Sequence, residues 1–223
     1  MTCSGAEGTF GPAEIGAAGP SLSMEVTHMP ALVAPTPEAA SPAPLAGSQT
    51  DSYPAALVAD VATDFGPVRV RPIRREDADG LVAFHELLSH DSQYLRFFNA
   101  HPHLSAAEVQ RFTRVDYHNR LALVAEVDGR LIAVAHYDRI DDTTEAEIAF
   151  VVADAYQCHG LGTMLLHRLA EAAAERGITC FAAETLADNH RVQAVFRKSG
   201  FEAHARFEDG VIKFAFPIAA GGA

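Results

Sequence analysis

The chain has 223 residues, 48% of them apolar, and 29 acidic against 17 basic side chains give it a net charge of −12. That length suits one domain with or without a tail. The charge excludes a surface built to neutralise nucleic-acid phosphates or to dock on anionic lipid.

Residues 1–64 contain no Lys or Arg, seven acidic residues and eight of the twelve prolines. Segments such as Ala34-Pro35-Thr36-Pro37 cannot hold a helix or a ladder, because proline lacks the N–H donor. A disordered, acidic, Pro/Ala-rich tail is expected there, with Leu57 to Ala62 able to form a short helix or to lean on the domain. No basic region precedes an apolar run at the N-terminus, so no secretory signal is expected. No stretch approaches the ~20 apolar residues that span a bilayer. Cys3, Cys158 and Cys180 fall in no pairing or ligand pattern, so neither a disulfide framework nor a metal site is expected. A cytoplasmic location follows as the expectation.

One domain is expected over 65–218, with 219–223 a flexible C-terminus. Val68, Val70 and Pro72 alternate with Arg69 and Arg71, the pattern of a half-buried strand. Leu81, Phe84, Leu87 and Leu88 predict a helix over Glu76 to Ser89. A second short helix holds Tyr94, Leu95, Phe97 and Phe98, and Ser105 with Glu108 forms a capping box that opens a third. Leu121 to Val127 and Leu131 to Tyr137 flank Asp128-Gly129, a hairpin signal. A strand over Glu145 to Val152 precedes a long amphipathic helix from Gly160 to Arg176, closed by Gly177. Ile178 to Thr185 reads as a strand, Asp188 to Ser199 as a helix, and two strands flank Asp209-Gly210. Antiparallel strands first and a βαβ unit after them predict a mixed α/β sheet with helices on both faces.

The stretch richest in chemistry runs from Glu147 through Val152 into Gln157-Cys158-His159-Gly160-Leu161-Gly162-Thr163. A strand feeds a loop of small residues that opens a helix, whose unpaired N–H groups and dipole favour phosphate oxygens. The dinucleotide fingerprint needs a third glycine where Leu165 stands, and the P-loop needs Gly-Lys-Ser/Thr, so neither nucleotide fold is supported. Glu147 lies mid-strand, where a carboxylate is costly to bury without a role. Pairing with Arg139 or a histidine is the alternative reading. None of His85, His118, His136 and His190 shows metal-ligand spacing. Arg197 and Lys198 fit a solvated helix face as well as a phosphate contact, and Tyr94, Phe97, Phe98 and Tyr117 fit core as well as an acceptor slot.

Gln157-x-x-Gly160-x-Gly162, with the later run Asn189 to Phe201, resembles the GNAT superfamily of N-acetyltransferases, and the resemblance extends over 67–217 in element order. Arg71-Pro72-Ile73-Arg74, Tyr94 to Phe98 and Asp116-Tyr117 resemble its bacterial protein-lysine acetyltransferase branch. The resemblance implies acetyl-CoA as co-substrate and a primary amine as acceptor, with protein lysine ahead of a small amine. A non-catalytic acyl-CoA-sensing module is the other class. The resemblance to the family implies Glu147 as general base, a Val151 backbone N–H as thioester-oxygen donor, and acyl-CoA contacts from Val152, Gln157, Cys158, His159, Gly160, Leu161, Gly162, Thr163, Asn189 and Phe196. Many members carry a tyrosine where Phe196 stands, glycine at Cys158 and a basic residue at His159. A phenyl ring cannot protonate a leaving thiolate, which near pKa ~8.5 needs little help.

Overall fold

The computed structural model describes residues 52–218. Residues 1–51 of the tail expected over 1–64, and the C-terminus expected to be flexible over 219–223, lie outside the described residues. The elements are β1 (Ala59–Thr63), β2 (Gly66–Pro72), α1 (Ala78–Glu86), α2 (His90–Phe97), α3 (Ala106–Thr113), β3 (Arg120–Val127), β4 (Arg130–Arg139), β5 (Glu145–Val152), α4 (Leu161–Ala174), β6 (Cys180–Leu186), α5 (His190–Lys198), β7 (His204–Glu208) and β8 (Val211–Pro217). They form one eight-stranded sheet in the order β1-β2-β3-β4-β5-β6-β8-β7. Only the β5–β6 pair is parallel, so the sheet is mixed as expected.

The domain begins earlier than the sequence indicated. β1 pairs with β2 from Ala59↔Val70 to Thr63↔Gly66, so the boundary expected at 64/65 falls inside a hairpin. Gly66 turns this hairpin at φ +122°, a conformation closed to side chains with a Cβ. As an edge strand β1 has no fully buried residue, and its alternation of half-buried with exposed positions leaves only a weak apolar signal in the sequence. The helix expected over Glu76 to Ser89 is also divided. Arg75–Asp77 is a 3₁₀ turn, because Asp77 accepts from the Arg71 guanidinium and the Arg74 N–H instead of continuing the helix. Ser89 caps α2 by accepting from the Ser92 N–H. The capping box of Ser105 and Glu108 opens α3 as expected.

Two apolar layers sandwich the sheet. Ala133, Ala135 and Tyr137 of β4 and Ile148 and Val152 of β5 pack with Leu161, Leu165, Leu166 and Leu169 of α4. On the opposite face Ala122, Val124 and Val134 meet Leu81, Phe84 and Leu88 of α1 and its following turn. No described helix is long and apolar enough to cross a membrane. Tyr137 is fully buried, and its hydroxyl donates to the His118 carbonyl at 2.8 Å. Tyr137→Phe is therefore expected to lower stability by about 0.5–1.5 kcal/mol, the net worth of one hydrogen bond, read from urea unfolding midpoints.

Candidate functional site

β5 and β6 are paired only over Glu145↔Cys180, Ala146↔Phe181 and Glu147↔Ala182. Beyond that rung β5 runs on to Val152 and β6 to Leu186 without pairing, so the sheet opens between two parallel neighbours. The register fixes which backbone groups face this opening. Ile140 N–H bonds to the Glu145 carbonyl and Ala153 N–H to the Ile132 carbonyl, and the β4–β5 register is unbroken between them. Alternation then directs the peptide groups of Glu147, Ala149 and Val151 toward β4, and those of Phe150 and Val152 into the opening. The donor expected at Val151 is thus corrected: its N–H belongs to the β4 ladder, and the Phe150 and Val152 N–H groups face the gap.

The loop leaving β5 ends at the N-terminus of α4. Gly160, at φ +79°, is the helix N-cap, no side chain caps the first turn, and that turn holds no acidic residue. The N–H groups of Leu161, Gly162 and Thr163 thus stand where an anion would meet them. Cys158 is exposed and adopts φ +67°, which explains why a glycine suits that position. A Cβ on Gly162 would stand 3.2 Å from the Phe150 ring and 3.3 Å from Val195, so any side chain there presses on both β5 and α5, which glycine lets α4 approach closely.

Several side chains expected to face a ligand are held by the protein itself. The Gln157 amide donates to the Val152 carbonyl at 2.9 Å and to the Ser92 hydroxyl at 3.2 Å, and its carbonyl accepts from Arg191 at 2.8 Å. Asp154 accepts from the Ser89 N–H, the Ser89 hydroxyl and the Ser92 hydroxyl, which ties α2 to the same loop. His159 Nδ1 lies 2.7 Å from Asp64, and Phe65 meets its ring edge-on at 5.2 Å, so the histidine clasps the β1–β2 turn. The Asn189 side chain caps α5 by accepting from the Val192 N–H at 3.2 Å. Phe196 is 2% exposed among Phe150, Phe214 and Phe216. Arg197 and Lys198 are exposed in the last turn of α5, while Arg191, which the sequence reading passed over, lies in its first turn beside the loop.

Glu147 occupies the last paired rung before the opening, half-buried, and no hydrogen bond or ion pair to another described residue reaches its carboxylate. Arg139, its alternative partner, instead donates to the carbonyls of Thr143 and Arg176. Asp138, directly across on β4, is held by Arg120 at 2.7 Å and Arg111 at 3.0 Å. Burial pushes the Glu147 carboxyl above its ordinary value, Glu184 and Asp138 add to that rise, and Arg96 and Arg111 oppose it. Burial likewise pulls Arg96 down to about 10, against the pull of Glu147 and Asp138. His136, facing the same side, is pushed down to about 3 by burial and by Arg96, so it is neutral at pH 7. Of the other histidines, His85 is buried against the His101 carbonyl, and His118 and His190 are exposed. Tyr94 is also exposed, 47% of its surface.

A mixed sheet parted between two parallel strands, with an uncapped helix N-terminus at the open end, is the fold of the acyl-CoA N-acyltransferases. Residues 82–201 match the family model described as Acetyltransferase (GNAT) family, and the chain belongs to that family. The GNAT domain of S. lividans PAT is 43% identical, with a TM-score of 0.71 over 74% of this chain and 99% of that domain. A cAMP-binding acyltransferase from Mycobacterium smegmatis is 25% identical with a TM-score of 0.52, over 74% of this chain and 49% of its own. An acetyltransferase of Pseudomonas aeruginosa is 31% identical over 114 residues, 49% of this chain. The aligned stretch covers 61% of that relative's length.

Proposed function

We propose that this chain transfers the acetyl group of acetyl-CoA directly to a primary amine, with protein lysine as the favoured acceptor and Glu147 as general base. The observation that carries the reading is Glu147 itself: a half-buried carboxylate with no hydrogen-bond or ion-pair partner among the described residues, at the rung where β5 and β6 part. A carboxylate held above its ordinary pKa is a stronger base than a solvated one. The pyrophosphate would lie on the Leu161, Gly162 and Thr163 N–H groups, with Gly160 leaving the backbone open to it. Gln157 and Asn189 act one step back, Gln157 by bracing the loop and Asn189 by fixing the start of α5.

The acceptor arrives as an ammonium and must lose a proton, at roughly 4–5 kcal/mol for a lysine at pH 7. Glu147 takes that proton, and the neutral nitrogen attacks the thioester carbonyl. The new C–N bond forms as negative charge develops on the carbonyl oxygen, within reach of the Phe150 N–H in the opening. As the C–S bond breaks, the nitrogen sheds its second proton through water, CoA leaves as the thiolate and takes up one proton, and Glu147 returns the other to solvent. Phe196 carries no proton to give, and no step asks one of it.

Protein lysine is favoured by the resemblance of Arg71–Arg74 and Tyr94–Phe98 to that branch of the family and by the 43% identity to the PAT domain. Acetylated products separate the acceptor classes. With a mixture of lysine-bearing proteins, polyamines and amino acids at equal amine concentration, mass spectrometry is expected to find acetyl on protein ε-amines first. Acetyl confined to the small amines would replace lysine with a metabolite acceptor. An acyl-CoA-sensing module would bind the thioester and acetylate nothing.

A further inference from the structure

Glu184 stands on the same face of the sheet as Glu147. Because Glu147 is level with Ala182 across β5–β6, the next side chain on that face of β6 is Glu184, at a level where β5 has already parted from it. Its side chain is only 18% exposed. Lys213, directly opposite on β8, is its ion-pair partner among the described residues and lies 3.8 Å away, outside hydrogen-bond reach. The same ammonium makes its short contact, 2.9 Å, to Glu208 on β7. Glu184 is thus a largely buried carboxylate whose counter-ion is shared and held mainly by another residue. Such a group is poorly compensated until a second cation comes within reach.

We propose that Glu184 receives the ammonium of the incoming acceptor, and that Lys213 is a built-in stand-in for that cation which the acceptor displaces toward Glu208. The inference rests on the amine-acetyltransferase reading above and adds to it the residue pair that sets the preference for cationic acceptors. It divides the work between two carboxylates. Glu184 meets the charged amine and acts on binding, while Glu147 takes the proton and acts on the rate. Burial pushes the Glu184 carboxyl upward and Lys213 draws it back, as expected of a site tuned by an imperfect counter-ion. Lys213 already has its closer partner in Glu208, so yielding Glu184 costs it only the longer of two contacts.

The test is steady-state kinetics with acetyl-CoA and a lysine-bearing peptide on the wild type, Glu184→Gln and Lys213→Met, each first confirmed as folded by its thermal shift with acetyl-CoA. Glu184→Gln is expected to raise the peptide KM by about tenfold or more, as for loss of one partner of a desolvated charge pair, with kcat held within about threefold. Lys213→Met is expected to lower the peptide KM by about threefold, since the competing cation is gone. Opposite signs cannot arise from a shared loss of packing. An unmoved peptide KM in Glu184→Gln, or a rise in both variants, would overturn the assignment while wild-type turnover still upheld the transferase. A wild type that binds acetyl-CoA and releases no CoA to any amine would end both readings together.

Discussion

Glu147→Gln is expected to lower kcat by about 10²–10⁴-fold, the range for loss of a general base, while acetyl-CoA binds as tightly as before. The amide keeps the size of the side chain and leaves the opening and the α4 N-terminus untouched. The same variant is expected to unfold at a higher temperature than the wild type at pH 7. Burial holds the folded-state pKa of Glu147 above its unfolded value, so the native state binds the proton more readily than the unfolded one. The penalty on the charged form is fully present above the raised value and is relieved as pH falls through it. Gln carries no charge and removes that penalty. Loss of activity with gain of stability marks a group retained for chemistry. A carboxylate kept for structure would lose stability instead. In the wild type, kcat/KM should fall as pH drops through the raised value of Glu147, at a higher pH than an ordinary carboxylate would give.

Gly162→Val is expected to damage binding where Glu147→Gln spares it. Even a single Cβ at 162 would meet Phe150 at 3.2 Å and Val195 at 3.3 Å, and valine adds two further methyl groups to that contact. Either α4 moves off β5 and carries its first-turn N–H groups away, or Phe150 is pushed into the opening. Both outcomes disturb the surface proposed for the cofactor. Stability should drop by about 1–3 kcal/mol, as for an overpacked core. The dissociation constant for acetyl-CoA, read by calorimetry below the unfolding temperature, should rise at least about tenfold, a little over 1 kcal/mol. Unaltered affinity in Gly162→Val would place the pyrophosphate elsewhere.

The sequence displayed what depends on periodicity and on turn chemistry. The β3–β4 hairpin, the α3 capping box and the helix opening at Gly160 all carry local signals, and all are present. The edge strand β1 was hidden, since its alternation is only half-buried against exposed and the surrounding alanines and prolines read as tail. Glu147 was legible because a carboxylate within an apolar strand is conspicuous. Its surroundings were not. Arg96, Asp138 and Glu184 come from α2, β4 and β6, and their influence on Glu147 depends on strand order and register. The oxyanion donor shows the same limit. The family resemblance suggested Val151, whereas the bonds at Ile140 and Ala153 fix the phase of the ladder and turn Phe150 and Val152 into the opening. Gln157, His159 and Asn189 were expected to contact the cofactor, and each makes a protein contact that no spacing rule could foresee.

The measurement that bears most directly on the central claim is release of free CoA from acetyl-CoA by the purified chain, with and without a lysine-bearing protein, in the wild type and in Glu147→Gln. Release is expected to depend on the acceptor in the wild type and to fall by at least about a hundredfold in the variant. Release at the same rate in both would contradict the assignment of Glu147, and release indifferent to the acceptor would contradict transfer to an amine.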